Sequence, residues 1–344
     1  MNGSARFVEG TAPQLPATRA RGALFVIDPL AGLQAEVDAS IGLMSATQDL
    51  GLEVWCCEPE ELAFADGRVQ AYARRIRLRP RSARRGPHLG NQRGDHRWVV
   101  DATWWDELER AVVEVSSFGL VHLRIDPPVD ARYLHTTYLL DLVAGTRVIN
   151  RPEGIRAMHE KLVALRFPEL CPATYVGADP VALRSFVAAV GTAVVKPVDG
   201  FAGHDVWLVP DDRGATALLQ SATQGGRQVI AQEYLPSVAA GNKRLFLLDG
   251  EIVGAVLRRP CAGDFRIGPP VAAAEIDAQD RAIAAALGPV LRGYGLVIAG
   301  ADVIDGRLIE VNVTCPGGMH KTDALLGTRL SHTIVSSLFE GALA

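Results

Sequence analysis

The sequence is poor in cysteine and lysine and has no long apolar run, and these shortages exclude several classes of protein. Five cysteines without a Cys-x-x-Cys pair are not the framework of a disulfide-stabilised secreted domain, and they favour a reducing, cytoplasmic location. No apolar segment approaches the about 20 residues of a membrane-spanning helix. The first residues lack the apolar core of a signal peptide. A net charge of −4 favours neither a nucleic-acid nor a membrane partner.

Three common catalytic motifs are also absent. The chain has no G-x-x-x-x-G-K-[ST] phosphate loop and no G-x-S-x-G nucleophile turn, and His159 and Glu160 do not continue into the H-E-x-x-H pattern of zinc proteases. The 35 basic residues include only four lysines: Lys161, Lys196, Lys243 and Lys321. In a chain this rich in arginine, we expect a lysine where a compact point charge is needed rather than a planar fork.

Strand and helix patterns alternate along the chain and predict α/β and α+β units. The predicted strands of the first unit are 23–29, 52–58, 120–128 and 146–150, and its predicted helices are 36–50, 104–115 and 132–144. This alternation favours a parallel sheet. A length of 344 residues is typical of two or three domains. We expect a disordered tail (1–20), an N-terminal α/β domain (21–149), a central domain (150–235) and a C-terminal domain (236–344).

One stretch, residues 68–97, has a biased composition, with ten arginines against the single acid Asp95. Such a stretch could bind nucleic acid through its positive charge. However, only Tyr72 and Trp98 are close enough to stack on bases, and the stretch contains several Pro and Gly residues. We therefore favour a solvated loop, after a hairpin that turns at Asp66-Gly67.

The strongest chemical signal is a hairpin that carries Asp302, Glu310 and Asn312. All three side chains offer oxygen, the ligand atom that Mg²⁺ prefers. With a three-residue loop at 304–306, Asp302 pairs with Leu308, and the three polar side chains share one face of the hairpin. The alternative is the solvated face of an ordinary hairpin. Against this alternative, the polar residues interrupt a strongly apolar stretch.

A second signal is the segment VVKPVDGFAGHDV, in which a buried strand ends at Lys196 and a loop follows with Gly200 and Gly203. Glycine-rich backbone can cradle phosphate, and lysine adds charge. The alternative is an ordinary turn with an extended surface lysine. Lys161, in a predicted helix over 156–167, has no special signal of its own.

Two further features also have ordinary explanations. Main-chain groups at 233–235 could face a ligand from a linker, or belong to an edge strand. Arg244 and Arg266 flank a hairpin that turns at Asp249-Gly250, and arginines in such places are more often surface residues than anion ligands.

Taken in order along the chain, these features resemble the ATP-grasp superfamily, and specifically bacterial glutathione synthetase. The resemblance extends to the segments VIDPLAGL, RIDPPVDARYLHTTYLLD and VINRPEGIRAMHEKL, and covers roughly residues 22–316. It implies an ATP-grasp fold with an N-terminal parallel-sheet domain, a lid (150–235) and a catalytic domain (236–344). It also implies that a carboxylate is activated by ATP as an acyl phosphate and then captured by an amine.

The resemblance also assigns roles to individual residues. Those implied for nucleotide binding are Lys161, Lys196, Gly200, Gly203, Glu233, Tyr234, Leu235 and Asn242. Ligands of two Mg²⁺ ions would be Asp302, Glu310 and Asn312, and the catalytic arginines would be Arg244 and Arg266. Small-molecule substrates, an amino acid or a dipeptide, are the implied partners, and a homodimer or homotetramer is expected.

The chain departs from the family's pattern where substrates are chosen. Ala202 replaces a glycine of the lid loop, and Asn242 often has an acidic counterpart. The segments RIGPPVAAAEID and CPGGMHKTD also differ from the usual sequences. We therefore expect Arg124, Gly317, Gly318 and Lys321 to contact the substrates. Three functions remain: a glutathione-synthetase-like ligase, an amide ligase or cyclo-ligase of specialised metabolism, and a non-catalytic ATP-binding regulator.

Overall fold

The computed structural model describes residues 22–79, 104–200, 205–261, 263–268 and 270–343, and three sheets are formed within them. The predicted tail (1–20), Ala202 and Gly203 lie outside the described residues. The strands of the first sheet are β1 (Ala23–Ile27), β2 (Val54–Cys57), β3 (Leu62–Ala65), β4 (Arg68–Leu78), β5 (Trp105–Glu114), β6 (Leu120–Arg124) and β7 (Arg147–Ile149). Its order is β3-β4-β2-β1-β6-β7, with β5 paired to β4.

The centre of this sheet is parallel, as the alternating pattern predicts. Strand β1 pairs in parallel with β2 on one side and with β6 on the other. All five residues of β1 are buried, as expected for a central strand covered on both faces. Helices α1 (Ala39–Asp49) and α2 (Ala131–Asp141) follow β1 and β6, and each begins at an aspartate, Asp38 or Asp130, that accepts a backbone N–H of the first turn.

One predicted helix of this domain is wrong. Residues 104–115 have a composition that favours helix, but residues 105–114 form the strand β5. The reason is tertiary: β5 pairs antiparallel with β4 along its whole length, from Trp105 beside Leu78 to Glu114 beside Gln70. The first part of the arginine-rich stretch is therefore a strand rather than a solvated loop, and its arginines pair with acids, such as Arg68 with Glu114 and Arg79 with Asp106.

The lid has its own sheet and its own apolar core. Its strands are β8 (Thr174–Gly177), β9 (Thr192–Pro197), β10 (Trp207–Pro210) and β11 (Val229–Glu233), in the antiparallel order β10-β9-β11-β8. Helices α4 (Pro180–Val190) and α5 (Ala215–Ala222) cover one face. Leu183, Val195 and Leu219 are among the fully buried side chains of this separate core.

The C-terminal sheet is antiparallel and contains the predicted hairpins. Its order is β14-β13-β12-β15-β16, with strands β12 (Asn242–Leu248), β13 (Glu251–Arg258), β14 (Pro270–Ala273), β15 (Ile298–Ile304) and β16 (Arg307–Asn312). The helices are α6 (Ala278–Gly293), α7 (Met319–Leu326) and α8 (Leu330–Leu343). Among the described ranges, no helix has the length and apolarity needed to cross a bilayer.

The first and third sheets share a continuous core. Asn150, at the end of β7, is buried, and its side-chain amide donates to the carbonyls of Ile298 and Val313 at 2.7 Å each. Its Oδ1 accepts the N–H of Ile298 at 2.8 Å. These hydrogen bonds fix the C-terminal hairpin against the N-terminal sheet.

The predicted helix over 156–167 is also wrong. Helix α3 (Pro152–Ala157) ends at Met158, which has extended backbone, and Lys161 lies in a turn before a short 3-10 segment over Val163–Arg166. The interruption turns Glu160 and Lys161 toward the other units instead of leaving them on a solvated helix face. Both residues reappear in the site below.

We predict that His122 makes folding sensitive to acid. It is fully buried on β6, stacks on Phe25 at 4.6 Å, and has no hydrogen-bond partner among the described residues. Burial, with a smaller effect of Arg124, lowers the pKa of His122 to about 3, whereas an unfolded histidine has a pKa of about 6.5. The unfolded chain then binds the extra proton, so stability is complete above about pH 6.5 and falls between pH 6.5 and 3, by up to about 1.4 kcal/mol per pH unit.

The measurement is the free energy of unfolding of wild type and His122→Phe from pH 7 to pH 4. Phenylalanine preserves the stacked ring and removes the titrating group. The wild type is expected to lose stability more steeply than the variant, and parallel profiles would contradict this account.

Candidate active site

The polar face of the β15–β16 hairpin depends on one extra residue. The turn is a two-residue turn, because Ile304 pairs with Arg307, and its central residues Asp305 and Gly306 have φ of 51° and 70°. The predicted three-residue loop is therefore wrong. A bulge at Ile309 follows, so that Asp302 lies opposite Glu310 and Gly300 opposite Asn312. The expected result, three oxygen-bearing side chains on one face, is reached through the bulge instead.

Two arginines enclose the carboxylate of Asp302, which is 1% exposed. Arg244 contacts both carboxylate oxygens, with Nη2 at 2.9 Å from Oδ2, and Arg258 Nη2 lies 2.6 Å from Oδ1. Burial alone would raise the pKa of Asp302, but the two guanidinium groups outweigh it and hold this pKa below its usual range. Asp302 is therefore ionised and shared by two cations.

Sequence reasoning missed Arg258. A regular hairpin with the two-residue turn Asp249-Gly250 would pair Asn242 with Leu257 and place Arg258 on the opposite face. A second bulge, at Val253 in β13, shifts the register so that Arg258 lies opposite Asn242. Arg258 thereby joins the face that carries Arg244.

Asn242 is held by Arg258 at the edge of this cluster. It is fully buried, and its Oδ1 accepts hydrogen bonds from Arg258 Nε at 3.1 Å and Nη2 at 2.5 Å. Its Nδ2 has no partner among the described residues. An aspartate here would form an ion pair with Arg258, whereas asparagine leaves Arg258 to Asp302.

The lid contributes two lysines to the same cleft. Lys196, at the end of β9, places Nζ 3.6 Å from Oε2 of Glu310. Lys161 Nζ donates to the carbonyls of Val198, at 3.3 Å, and Gly200. Burial lowers the pKa of Lys161, Lys196 adds to this effect and Glu310 opposes it. The lysines and the polar face of the hairpin therefore meet between the lid and the C-terminal sheet.

Glu160 connects the turn that carries Lys161 to the end of β16. The sequence did not indicate this residue, because it belongs to no motif. Its Oε1 accepts from Val313 N at 2.7 Å and from the N–H and hydroxyl of Thr314, at 2.9 and 2.7 Å. Its main-chain carbonyl accepts from Val311 at 3.1 Å. Glu160 thus fixes the end of β16 beside Lys161 and is a positioning residue.

Other residues singled out in the sequence lie farther from this cluster. Arg266 pairs with Asp264 at 2.8 Å, has a side chain that is 53% exposed, and does not join the pair on Asp302. The N–H groups of Glu233 and Tyr234 bond to the carbonyls of Ala173 and Thr192. Leu235 is half-buried beside them.

A cavity of about 310 Å³ adjoins the arginine pair and is called the cationic cavity. Its lining includes Arg244, Arg258, Gly317, Gly318 and Lys321. Burial lowers the pKa of Lys321, and no carboxylate of the described residues pairs with it. Three positive side chains at one cavity favour an anionic ligand.

Arg124 lies behind this cavity, at the carboxyl end of β6. It is 3% exposed and donates to Pro316 O at 3.2 Å and Ser40 Oγ at 3.1 Å. It therefore holds the loop between β16 and α7 in place, and within the described ranges it has no ion pair with a carboxylate.

The oxygen donors fit magnesium in their chemistry. Glu310 and Asn312 are half-buried and lie next to each other on β16, while Asp302 is occupied by arginines. Asn312 is needed to complete the set, because the described residues contain no group of three His, Cys, Asp or Glu side chains that could hold a metal. Such a donor set matches the usual binding of Mg²⁺ by one or two carboxylates together with substrate phosphates.

Comparisons with known proteins agree with this geometry. The model of the prokaryotic glutathione synthetase N-terminal domain matches residues 22–156, and that of the prokaryotic glutathione synthetase ATP-grasp domain matches residues 160–327. The glutathione synthetase of Thermosynechococcus vestitus is 41% identical over 92% of this chain and 98% of its own length. The glutathione synthetase of Xanthomonas campestris is 33% identical over 92% and 97%.

Solved structures confirm the predicted ATP-grasp fold. D-cycloserine synthetase DcsG superposes with a TM-score of 0.63 at 21% identity, covering 93% of this chain and all of that one. The ATP-grasp ligase PsnB, complexed with precursor peptide PsnA2 and AMPPNP, gives 0.59 at 17% identity over 96% and 100%.

We predict that Glu310→Gln reduces turnover by at least about 100-fold and leaves the fold intact. Glutamine keeps the size of the side chain but removes the charge that faces Lys196 and that a cation on the phosphates would need. The measurements are ADP release at saturating ATP and the melting temperature, which should change by no more than about 3 °C. Glu251→Gln, an exposed residue of β13, is the matched control. Wild-type turnover of Glu310→Gln would show that the hairpin is only structural.

Proposed function

We propose a function from the premise that the chain belongs to the prokaryotic glutathione synthetase family and is an ATP-dependent ligase that forms carbon–nitrogen bonds. It joins the carboxylate of a small peptide or amino acid to an amine, and an acyl phosphate is the intermediate. One observation carries the proposal. Lys196 of the lid lies 3.6 Å from Glu310 of the C-terminal sheet, so cations and oxygen donors line one cleft. Phosphoryl transfer needs this combination more than it needs a covalent catalyst.

In the proposed reaction, a substrate carboxylate attacks the γ-phosphorus of ATP and ADP leaves. Lys161 and Lys196 hold the phosphates, and their present contacts with lid carbonyls and Glu310 are exchanged for phosphate oxygens. Two bound Mg²⁺ ions would neutralise the phosphates. Glu310 and Asn312 would hold them, and Asp302 would join as a ligand by giving up one of its arginine contacts. Adenine would lie beside residues 233–235, and Gly200 with Gly203 would cover the phosphates and exclude water.

The second half of the reaction is an acyl transfer. The amine attacks the acyl carbon, and inorganic phosphate leaves. Arg244 and Arg258 would stabilise the negative charge that develops, and we propose that Arg258 takes the role first expected of Arg266. Gly317 and Gly318 border the same cavity and can offer N–H groups to the developing oxyanion.

The second candidate function is an amide ligase or cyclo-ligase of specialised metabolism that acts on an unusual amino acid. Lys321 in the cationic cavity, where the chain departs from the family's usual sequence, supports this alternative. In either case the substrates are small molecules that carry carboxylates. All five cysteines are unpaired, in keeping with the proposed cytoplasmic location. A dimer or tetramer stays a prediction.

The first experiment is an ADP-release screen over amino acids and dipeptides, including γ-glutamylcysteine with glycine. We expect at least one acid–amine pair to increase ADP release above the rate with ATP alone. If the protein binds ATP but no pair stimulates turnover, the ligase proposal fails and a regulatory ATP-binding protein is favoured.

We further predict that Lys321→Met raises KM for one substrate by about tenfold, because an ion pair in the ground state is lost. KM for ATP is the internal control and should stay constant. Unchanged KM values for all substrates would show that Lys321 does not contact a substrate. Substrate choice would then depend on the loop that Arg124 holds and on the segment after Arg266.

A further inference from the structure

One cavity of the N-terminal domain is acidic and has no part in the chemistry described so far. Its volume is about 510 Å³, within the usual range for small-molecule sites. We call it the acidic cavity. Its charged lining residues are Asp28, Asp38, Asp126, Asp130 and Arg132. Four carboxylates against one guanidinium favour a cationic ligand.

The topology of the sheet places this cavity where α/β proteins bind ligands. From β1 the chain passes to β2 on one side, and it later returns to β6 on the other side of β1. Two loops therefore diverge at the carboxyl ends of β1 and β6, which is the switch point of the parallel region. Asp28 follows β1 directly, and Asp126 follows β6.

Three of the four carboxylates already have partners. Asp28 pairs with Arg132 at 3.2 Å and accepts the N–H of Asp126. Asp38 and Asp130 begin helices α1 and α2. Asp126 has neither an ion pair nor a helix cap among the described residues. Burial raises the pKa of its carboxyl, and the Cys315 thiol opposes this effect.

An unpartnered buried hydroxyl gives a second, independent indication of a ligand. Tyr133 lines the acidic cavity, is 1% exposed, and its hydroxyl has no hydrogen-bond partner among the described residues. A buried hydroxyl without a partner costs free energy unless a ligand satisfies it. A phenol can accept a hydrogen bond from an ammonium group.

The acidic cavity adjoins the cationic cavity. Val37 lines both, and Arg124 connects the end of β6 to the carbonyl of Pro316, beside Gly317. A molecule with a positive end and a negative end can therefore lie across the two. A carboxylate at Arg244, Arg258 or Lys321 would direct an ammonium group toward Asp126.

We propose that the acidic cavity binds the free ammonium group of the acid substrate, through Asp126 and the hydroxyl of Tyr133. This assignment rests on the proposed ligase function and names the residues that would recognise the amine of its acid substrate. An ammonium group held by a carboxylate keeps its proton and is not a nucleophile. The amine bound here therefore differs from the amine that is acylated.

The test compares γ-glutamylcysteine with its N-acetyl derivative, each with ATP and glycine, in wild type and Asp126→Asn. If the screen identifies a different acid, that acid and its N-acetyl derivative are used. Acetylation should raise KM of the wild type by at least about 30-fold. Asp126→Asn should raise KM for the free amine by about 10- to 100-fold and reduce the effect of acetylation to about 3-fold or less. KM for ATP should stay constant.

Two variants separate binding from folding. Tyr133→Phe should raise KM for the free amine by about 3- to 5-fold without lowering the melting temperature, because the lost hydroxyl has no protein partner. Asp66→Asn, at a turn outside the cavity, is the matched control and should behave as wild type.

The outcomes are distinguishable. If wild type uses the free and the acetylated acid equally, or if Asp126→Asn leaves KM unchanged, the cavity assignment is overturned while the ligase function stands. If wild type turns over no acid–amine pair, the ligase function fails and the cavity assignment fails with it.

Discussion

Two β-bulges decide which side chains meet in the active site. The extra residue Ile309 in β16 brings Asp302 opposite Glu310, and the extra residue Val253 in β13 brings Arg258 to the face that carries Arg244. Side chains alternate between the faces of a strand, so a shift of one residue reverses every side chain beyond it. Without the bulge in β13, Arg258 could not join Arg244 on Asp302. Without the bulge in β16, Glu310 would leave the face that carries Asp302. Bulges beside active sites commonly re-aim side chains in this way.

Each of these charged groups in the cleft already has a partner before any substrate arrives. Asp302 is shared by Arg244 and Arg258, Glu310 faces Lys196, and Lys161 bonds to carbonyls of the lid. Leaving one of these buried charges without a partner would be costly. Under the proposed function, a nucleotide would enter by exchange: its phosphates would replace the partners of the lysines, and cations would replace the lysine beside Glu310. The hydrogen bonds of Glu160 tie the end of β16 to the turn that carries Lys161, so Glu160 would keep these two segments in place during the exchange.

Much of this arrangement could be predicted from the sequence, and the failures have physical causes. Apolar runs identified the central parallel strands, and Asp-Gly turns identified the hairpins, because these signals are local. Residues 105–114 become a strand only through pairing with β4, which no local pattern shows. Arg258 and Glu160 were missed because a bulge and a break after α3 determine their positions. Arg266 has a favourable sequence context, but the fold pairs it with Asp264.

The central claim is that the substrate carboxylate is activated by phosphorylation within this cleft. The most direct test uses an acid substrate whose carboxylate is labelled with oxygen-18, incubated with the enzyme, ATP, Mg²⁺ and the amine. Attack of the carboxylate on the γ-phosphorus transfers one labelled oxygen to each inorganic phosphate released. Mass spectrometry of the phosphate should find this label in proportion to the amide formed. Phosphate without oxygen-18, alongside normal amide formation, would contradict the account.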